Sequence, residues 1–353
     1  METGKMKYYP KQGRVAWQSP SNIALIKYWG KKGFQIPANP SLSITLSASY
    51  TETSVDYQPG NGSIRFYFEG KAHPDFEQKI SKYFGLLHDD LPFLKNLDFE
   101  INSKNTFPHS AGIASSASAM SALALCVCSI GAALSEEKWP SGKAFYSLAS
   151  GFARIGSGSA SRSLFPKMAT WGRFDKIPDS SDQYGNAFLL PVNPVFEDFN
   201  DTILIVSKGE KKVSSRAGHL LMEANPFAEA RYKQAGENLD KLIYAIETGN
   251  PDVFISIVES EALTLHGLMM SSSPGYMLME PATIRIIEKI KAFREQSGAR
   301  VCFTLDAGPN VHVLYPENER VRVSNFIDEE LKQHCENNRL IEDKMGTGPK
   351  RIG

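Results

Sequence analysis

Residues 107–119, with the sequence FPHSAGIASSASA, mark an abrupt change from strand-like to helix-like spacing. Apolar and polar residues alternate over residues 97–101, which predicts a half-buried strand, whereas apolar residues recur at helical spacing from Ala119 onward. Small residues let a ligand approach the backbone, and the free amides of a helix start donate to anions. The segment therefore predicts either a phosphate-binding loop or, equally, tight helix packing with Ser115 and Ser116 as N-caps.

Length and pattern favour two lobes. At 353 residues the chain is longer than most single cores, and it lacks the regular strand–helix repeat of a barrel or a doubly wound sheet. Prolines and acidic residues near 193–200 suggest the division. The spacing predicts strands at 22–29, 42–48, 53–57, 64–68, 97–101, 168–171, 187–190, 202–206, 300–304 and 311–315, and helices at 74–87, 142–153, 227–247, 252–268, 281–296 and 319–334.

Charge and cysteine content narrow the choice of partners. Lysine plus arginine (39) equals aspartate plus glutamate (39), which argues against a broadly basic nucleic-acid surface and favours a small-molecule partner. Four irregularly spaced cysteines suggest reduced thiols, and Cys126 and Cys128 suit core packing. Residues 1–18 contain no continuous apolar stretch, so we expect a cytoplasmic protein without a membrane anchor.

Four further segments contain residues suited to catalysis or anion binding. In NIALIKYWGK, residues 22–31, Lys27 interrupts an apolar strand and requires either a counter-charge or a path by which its ammonium reaches water. In RIGSGSASRS, residues 154–163, glycines, serines and two arginines predict either a second anion site, with Arg162 gripping a carboxylate or phosphate, or a flexible linker.

The other two segments are shorter. KKVSSR, residues 211–216, concentrates hydroxyls and positive charge, as a solvated basic turn also does. LDAGPN, residues 305–310, presents Asp306 after a strand, either as a turn cap or as a base or charge stabiliser at a cleft. The usual P-loop, dinucleotide, zinc-protease and nucleophile-elbow motifs do not occur.

These segments, together with NPSLS at residues 39–43, resemble the GHMP kinase superfamily and, within it, the diphosphomevalonate decarboxylase family. The resemblance implies an α+β fold with an N-terminal ATP-binding lobe (1–196), a ferredoxin-like C-terminal lobe (197–353) and an active site in the cleft between them. It also implies ATP, Mg²⁺, a homodimer, and decarboxylation of mevalonate 5-diphosphate through phosphorylation of its 3-hydroxyl.

The resemblance assigns roles to particular residues. It implies a catalytic trio of Lys27, Arg162 and Asp306, and Ser116 closest to the ATP phosphates and metal. The other ATP-binding residues would be Ser103, Gly112, Ala114 and Ser115. The substrate would contact Ala24, Tyr28, Lys31, Ser157, Gly158, Ser159, Ser215, Arg216 and Ala307. The alternatives are a phosphomevalonate decarboxylase, a mevalonate 3-kinase, or a non-catalytic binding protein of the same fold.

Overall fold

The structure is a computed structural model that describes residues 3–108, 115–209 and 213–353. Over these residues the N-terminal lobe has one mixed sheet and three α-helices. Its strands are β1 (Gly13–Ile26), β2 (Ser41–Pro59), β3 (Ile64–Phe68), β4 (Lys71–Ala72), β5 (Leu97–Asn105), β6 (Met168–Trp171) and β7 (Asn186–Ala187). Its helices are α1 (Pro74–Leu87), α2 (Ser115–Leu134) and α3 (Lys143–Gly156).

The C-terminal lobe pairs a small sheet with longer helices. Its strands are β8 (Phe199–Leu204), β9 (Cys302–Thr304), β10 (Val311–Pro316) and β11 (Leu340–Lys344), and its helices are α4 (Ser215–Leu221), α5 (Ala228–Thr248), α6 (Pro251–Met270), α7 (Pro281–Ser297) and α8 (Arg320–Phe326). The sheet order is β11-β8-β10-β9, all antiparallel. That order is the fourth, first, third and second strand, which is the ferredoxin-like arrangement expected from the sequence.

The large sheet has the order β1-β2-β5-β3-β4, with β6 joined to β2 and β7 to β6. The strands predicted at 42–48 and 53–57 are one continuous strand, β2, whose first six residues are all buried and in which buried and half-buried residues alternate from Ser49 to Tyr57. Helix α2 packs on β1 and β2, and it is apolar nearly all round because both of its sides are covered. Cys126 and Cys128 are fully buried in it with free thiols, which confirms their predicted packing role.

Some predicted elements differ from the structure in detail, and one strand is not predicted. The strand expected at 187–190 is limited to the two residues of β7. The helix expected at 319–334 is α8 followed by a π-helical turn, Ile327–Leu331, and a 3-10 turn, Lys332–His334. A final strand, β12 (Lys350–Arg351), returns to the first sheet and pairs with Trp17 and Gln18 of β1. Its polar, exposed residues have no apolar pattern to predict it.

The two lobes share a core. Ile23 and Leu25 of β1 belong to the same buried cluster as Leu242 of α5 and Phe254 of α6. The carboxylate of Asp343 on β11 also accepts hydrogen bonds from the backbone N–H groups of residues 47–49 in β2, at 2.7–2.8 Å. The sheets are therefore tied together by packing and by a shared carboxylate, while the boundary at 196/197 stays a prediction.

Among the described residues, α2 and α6 are long and apolar enough to cross a membrane. Most of each apolar stretch is buried within the protein, 78% in α2 and 56% in α6. Both helices are accounted for by packing inside the two lobes.

Candidate active site

A lysine and an aspartate from different lobes form an ion pair. Lys27 directly follows β1, Asp306 lies two residues after β9, and Lys27 Nζ is 3.1 Å from Asp306 Oδ1. The lysine side chain is 2% exposed and the aspartate side chain 26%. Burial lowers the pKa of Lys27, and the Asp306 carboxylate opposes that shift. The counter-charge interpretation of Lys27 is therefore confirmed, and the one in which its ammonium reaches water is wrong.

Side chains hold the backbone of Lys27 where strand pairing ends. The β1–β2 register shifts between Ala24 and Ile26, and the strand ends at Ile26. Glu261 Oε2 accepts the Lys27 N–H at 2.8 Å, while Arg231 Nη2 and Asn39 Nδ2 donate to its carbonyl oxygen at 3.1 and 3.0 Å. Both peptide groups of Lys27 are thus fixed, and the direction of its side chain with them.

Glu261 belongs to a buried network that the sequence did not reveal. Both of its carboxylate oxygens accept hydrogen bonds from the guanidinium of Arg231, at 2.7 and 2.6 Å, and Oε1 also accepts one from Asn238 Nδ2 at 2.7 Å. The side chains of the ion pair are 1% and 0% exposed. A sequence signal that could have found it is Glu261 itself, one of three acidic residues in the otherwise largely apolar helix α6.

Asp306 is also held through its backbone. The ring Nε2 of His266, on α6, lies 3.1 Å from the Asp306 carbonyl oxygen, and the Gly308 N–H donates to the same oxygen at 2.8 Å. Burial lowers the pKa of His266 to about 4, so the ring is neutral at pH 7 and donates from Nε2–H. The Asp306 backbone is therefore held on two sides and its carboxylate pairs with Lys27, while its role as a base or charge stabiliser stays a prediction.

Arg162 points into the same region. It ends the 3-10 helix Gly158–Arg162, donates from Nη1 to Ser41 Oγ at 2.7 Å and from Nε to Ser43 Oγ, and lies over the Trp171 ring. Burial lowers its pKa to about 10, so the guanidinium stays charged at pH 7, and the Asp306 carboxylate supports that charge. The linker interpretation of residues 154–163 is wrong, because most of this segment is helical and much of it is buried.

The other arginine of that segment has a structural role. Arg154 Nε donates to the Gln183 carbonyl at 2.7 Å, and Nη1 donates to the Gln35 carbonyl at 2.9 Å. It therefore binds the loop after Lys31 to the loop before β7. Among the two arginines, Arg162 is the one directed toward Asp306.

The two small-residue segments meet through their hydroxyl groups. Ser116 Oγ at the start of α2 lies 3.3 Å from Ser157 Oγ, which lies 3.4 Å from Ser159 Oγ. Gly158 must be small here, because a Cβ would lie 2.8 Å from Trp171 Cη2 and 2.9 Å from the Tyr28 hydroxyl. The start of the candidate ATP segment is thus adjacent to the candidate substrate segment. Gly112 and Ala114 lie outside the described residues.

Helix α4 completes this side of the cleft. His219 Nδ1 accepts the Gly30 N–H at 3.0 Å, and its ring centroid lies 4.3 Å from that of Tyr28. Burial and nearby cations lower the pKa of His219 to about 3, so the ring is neutral. This contact brings the helix of Ser215 and Arg216 against residues 28–31, and Arg216, after burial, helps lower the pKa of Lys31. Lys211 and Lys212 lie outside the described residues.

The remaining candidates differ in exposure. Ala24 and Ala307 are buried in the cleft-forming segments, and Ser115 begins α2 half-buried. Ser103 is buried in β5, where its hydroxyl lies 3.1 Å from Thr53 Oγ1. The Tyr28 hydroxyl is buried without a hydrogen-bond partner in the described part of the chain, and burial raises its pKa.

The sheet and helix arrangement of the two lobes, one of them ferredoxin-like, is a GHMP kinase fold. Two family models match the chain, the Diphosphomevalonate decarboxylase-like N-terminal domain at residues 19–182 and the Mevalonate 5-diphosphate decarboxylase C-terminal domain at residues 202–350. Diphosphomevalonate decarboxylase of Ganoderma lucidum is 30% identical over 326 residues, which cover 86% of this chain and 78% of the relative. The chain belongs to the diphosphomevalonate decarboxylase family.

Solved structures agree over nearly the whole chain. Mevalonate diphosphate decarboxylase from Staphylococcus aureus superposes with a TM-score of 0.82 at 30% identity, covering 98% of this chain and 99% of that one. A protein described as MDDEF in complex with MVAPP, AMPPCP and magnesium gives a TM-score of 0.82 at 29% identity, covering 97% and 99%. The fold expected from the sequence resemblance is confirmed.

Proposed function

We propose that the protein catalyses the ATP-dependent decarboxylation of mevalonate 5-diphosphate to isopentenyl diphosphate, with release of ADP, phosphate and CO₂. The family membership and the complex of MDDEF with MVAPP and the ATP analogue AMPPCP support this assignment. The single observation that carries it is the buried Lys27–Asp306 ion pair in the cleft, with the charged Arg162 beside it.

The geometry suits transfer of a phosphoryl group to a tertiary hydroxyl. Asp306 orients the 3-hydroxyl and accepts its proton as that oxygen attacks the γ-phosphorus of ATP, and ADP leaves. Lys27 supplies positive charge beside the reacting groups, in a site from which water is largely excluded. The Lys27 side chain is only 2% exposed, so its charge is little screened by water and acts on Asp306 and on bound reactants.

Decarboxylation then needs two bonds to break. The C3–O bond breaks as phosphate departs and takes back the proton that Asp306 had accepted, and the Asp306 carboxylate restored in this way stabilises the positive character that grows on C3. Arg162, held by two serine hydroxyls, binds the substrate carboxylate and aligns the C1–C2 bond with the empty orbital. The electrons of the C1–C2 bond form the double bond of isopentenyl diphosphate, and CO₂ leaves.

The phosphates occupy the hydroxyl-lined part of the cleft. Tyr28, Lys31 and Arg216 face the substrate diphosphate together with Ser157, Gly158, Ser159 and Ser215, and the start of α2 faces ATP, with Ser103 as a further ATP contact. No group of three His, Cys, Asp or Glu side chains clusters in the described part of the chain. A magnesium ion therefore fits here if phosphate oxygens and water supply most of its ligands, with the Ser116 hydroxyl as a protein donor. Mg²⁺ neutralises the phosphate charge.

A substrate panel tests the proposal. The purified protein is incubated with ATP, Mg²⁺ and, in separate reactions, mevalonate, mevalonate 5-phosphate or mevalonate 5-diphosphate, and ADP and CO₂ are measured together. We expect equal amounts of ADP and CO₂ with the diphosphate alone. ADP without CO₂ would show a 3-kinase, and CO₂ with the monophosphate would show a phosphomevalonate decarboxylase. The absence of both products with all three substrates would contradict catalysis of this class.

We propose further that the protein is a cytoplasmic homodimer. Its four free, buried cysteines suit a reducing compartment, and burial raises the pKa of Cys335 to about 11. Light scattering coupled to size exclusion measures the mass against the 39.1 kDa of one chain. A monomer at micromolar concentration, or recovery of the native protein in a membrane or secreted fraction, would contradict the corresponding half of this proposal.

A further inference from the structure

We propose that helix α6 positions both members of the Lys27–Asp306 pair, with Glu261 and its partner Arg231 fixing the peptide groups of Lys27 and His266 fixing that of Asp306. The inference deepens the proposed function and rests on it. Glu261, Arg231 and His266 are positioning residues, because in the described structure they act through the backbone of the two reacting side chains.

The contacts at Lys27 form a clamp on both sides of its Cα atom. One carboxylate oxygen, Glu261 Oε2, accepts both from the Lys27 N–H and from Arg231 Nη2, and the same Arg231 nitrogen donates to the Lys27 carbonyl. Because β1 has ended, no neighbouring strand supplies these two bonds. The Arg231–Glu261 pair thus supplies at Lys27 the backbone hydrogen bonds that a neighbouring strand would otherwise supply.

Stability alone does not account for this pair. A buried Arg–Glu pair is seldom more stable than well-packed apolar residues of the same size, because both charges lose their hydration. Here the Arg231–Glu261 pair is bidentate, and Asn238, also on α5, donates a further hydrogen bond to Glu261, so the carboxylate is held rigidly. A rigid carboxylate that also binds the backbone N–H of Lys27 is suited to fixing the position of the Lys27 ammonium as closely as catalysis requires.

The same helix holds the partner. His266 is five residues from Glu261, a separation of about 7.5 Å along an α-helix, and it bonds the Asp306 carbonyl rather than its carboxylate. This contact does not use the carboxylate that pairs with Lys27. One rigid element therefore sets the relative position of two residues that come from different lobes.

The protein offers a matched control on the same helix. Glu259 of α6 forms a bidentate pair with Arg294 of α7, at 2.6 and 3.1 Å, and Arg294 also donates to the Val301 carbonyl. This pair has the same chemistry and joins α6 to a neighbour, but within the described residues its hydrogen bonds reach none of the candidate site residues. The double variants Arg231→Met/Glu261→Met and Arg294→Met/Glu259→Met each replace an ion pair with unbranched apolar side chains and leave no single buried charge behind.

Steady-state kinetics compare the two double variants with the unchanged protein. We expect kcat for CO₂ release to fall at least tenfold in Arg231→Met/Glu261→Met, with KM for ATP and for mevalonate 5-diphosphate within threefold, while Arg294→Met/Glu259→Met keeps kcat within twofold. Equal kcat in the two variants would overturn the inference and leave the proposed function intact.

A measurement that does not depend on activity distinguishes the positioning role from the proposed function. Lys27 labelling by acetic anhydride, followed by mass spectrometry, reports how firmly the buried ammonium is held. We expect labelling of Lys27 to increase several-fold in Arg231→Met/Glu261→Met and not in the control. If the protein without substitutions shows no ATP-dependent CO₂ release, the proposed function is contradicted. If Lys27 is labelled equally in both double variants, the positioning role is contradicted.

A second pair of variants tests the inference if the double variant Arg231→Met/Glu261→Met does not fold. His266→Leu removes the donor to the Asp306 carbonyl and leaves the ion pair in place, whereas His266→Gln puts an amide N–H close to the original Nε2 position. We expect kcat to fall at least fivefold in His266→Leu and to be largely recovered in His266→Gln. Equal kcat in the two would show that the hydrogen bond has no positioning role.

Discussion

The ammonium nitrogen of Lys27 lies 3.1 Å from a carboxylate oxygen of Asp306, although the two residues are 279 positions apart and belong to different lobes. The pair exists only when β1 and the loop after β9 are packed together. The shared core and the Asp343 contacts to β2 maintain that packing, so the stability of the interface between the lobes and the geometry of the site depend on each other.

Removing the carboxylate of the pair tests its role in the chemistry. In Asp306→Ala we expect turnover to fall at least about 100-fold, because the residue that orients and deprotonates the hydroxyl is lost. Binding of AMPPCP and of mevalonate 5-diphosphate, measured by calorimetry, should be largely retained. Wild-type turnover in the variant would remove Asp306 from the mechanism, whereas a collapsed melting curve would indicate a structural role.

Replacing Arg162 by lysine tests the two-serine geometry. The guanidinium donates to Ser41 through Nη1 and to Ser43 through Nε, and a single ammonium cannot reproduce this pair of directions. We expect Arg162→Lys to lower kcat for CO₂ release about 10-fold to 100-fold, as loss of an oriented charge commonly does. Ser163→Ala, whose hydroxyl accepts from Asn22 and not from Arg162, is the comparison variant. Equal rates in the two would argue against the alignment role.

The close packing at Gly158 predicts a localised defect. A Cβ there would lie within 3 Å of both Trp171 and Tyr28, so Gly158→Ala must displace one of the rings, at about 1–3 kcal/mol in unfolding free energy. We expect a raised KM for mevalonate 5-diphosphate as well. Gly151→Ala in α3 meets only the Gln183 carbonyl at 3.5 Å, and helix propensity alone should stabilise it by about 0.5–1 kcal/mol. Similar melting temperatures for the two variants would contradict this prediction.

The two buried histidines predict acid sensitivity. The pKa of His266 is lowered to about 4 and that of His219 to about 3, below the value near 6.5 of an unfolded chain. Between pH 6.5 and 4 the unfolded chain therefore binds more protons, so stability is full above pH 6.5 and falls as the pH drops. For His266 the loss is about 2 kcal/mol at pH 5.

Denaturant unfolding between pH 7.5 and 4.5 measures this effect. His266→Gln should show a shallower decline than the unchanged protein over the same range, because one titrating ring has been removed. His88→Gln provides the comparison, since that histidine lies near the surface, where its titration contributes less to stability. Identical slopes for the unchanged protein and His266→Gln would show that His266 is not held neutral by the fold.

Much of the fold could be predicted because its pattern is local. The apolar–polar alternation in the sequence of β2 and the apolar face of α1 repeat within a few residues. The two small-residue segments are likewise recognised from contiguous glycines, alanines and serines. The resemblance to the GHMP kinase superfamily also rests on contiguous motifs. The hypotheses that remained open, a linker or an anion site around Arg162 and a solvated or paired Lys27, concerned burial, which a local pattern does not report.

The sequence by itself determined the residue types of the candidate site and the order in which they occur: a small-residue segment before α2, a second one at Gly158, and single charged residues at Lys27 and Asp306. Only the tertiary structure decided that Glu261 holds Lys27 from 234 residues away and that His266 holds Asp306. The physical reason is that burying a charge or a backbone polar group is favourable only with a partner, and the partner is chosen by packing between lobes rather than by neighbours in the chain.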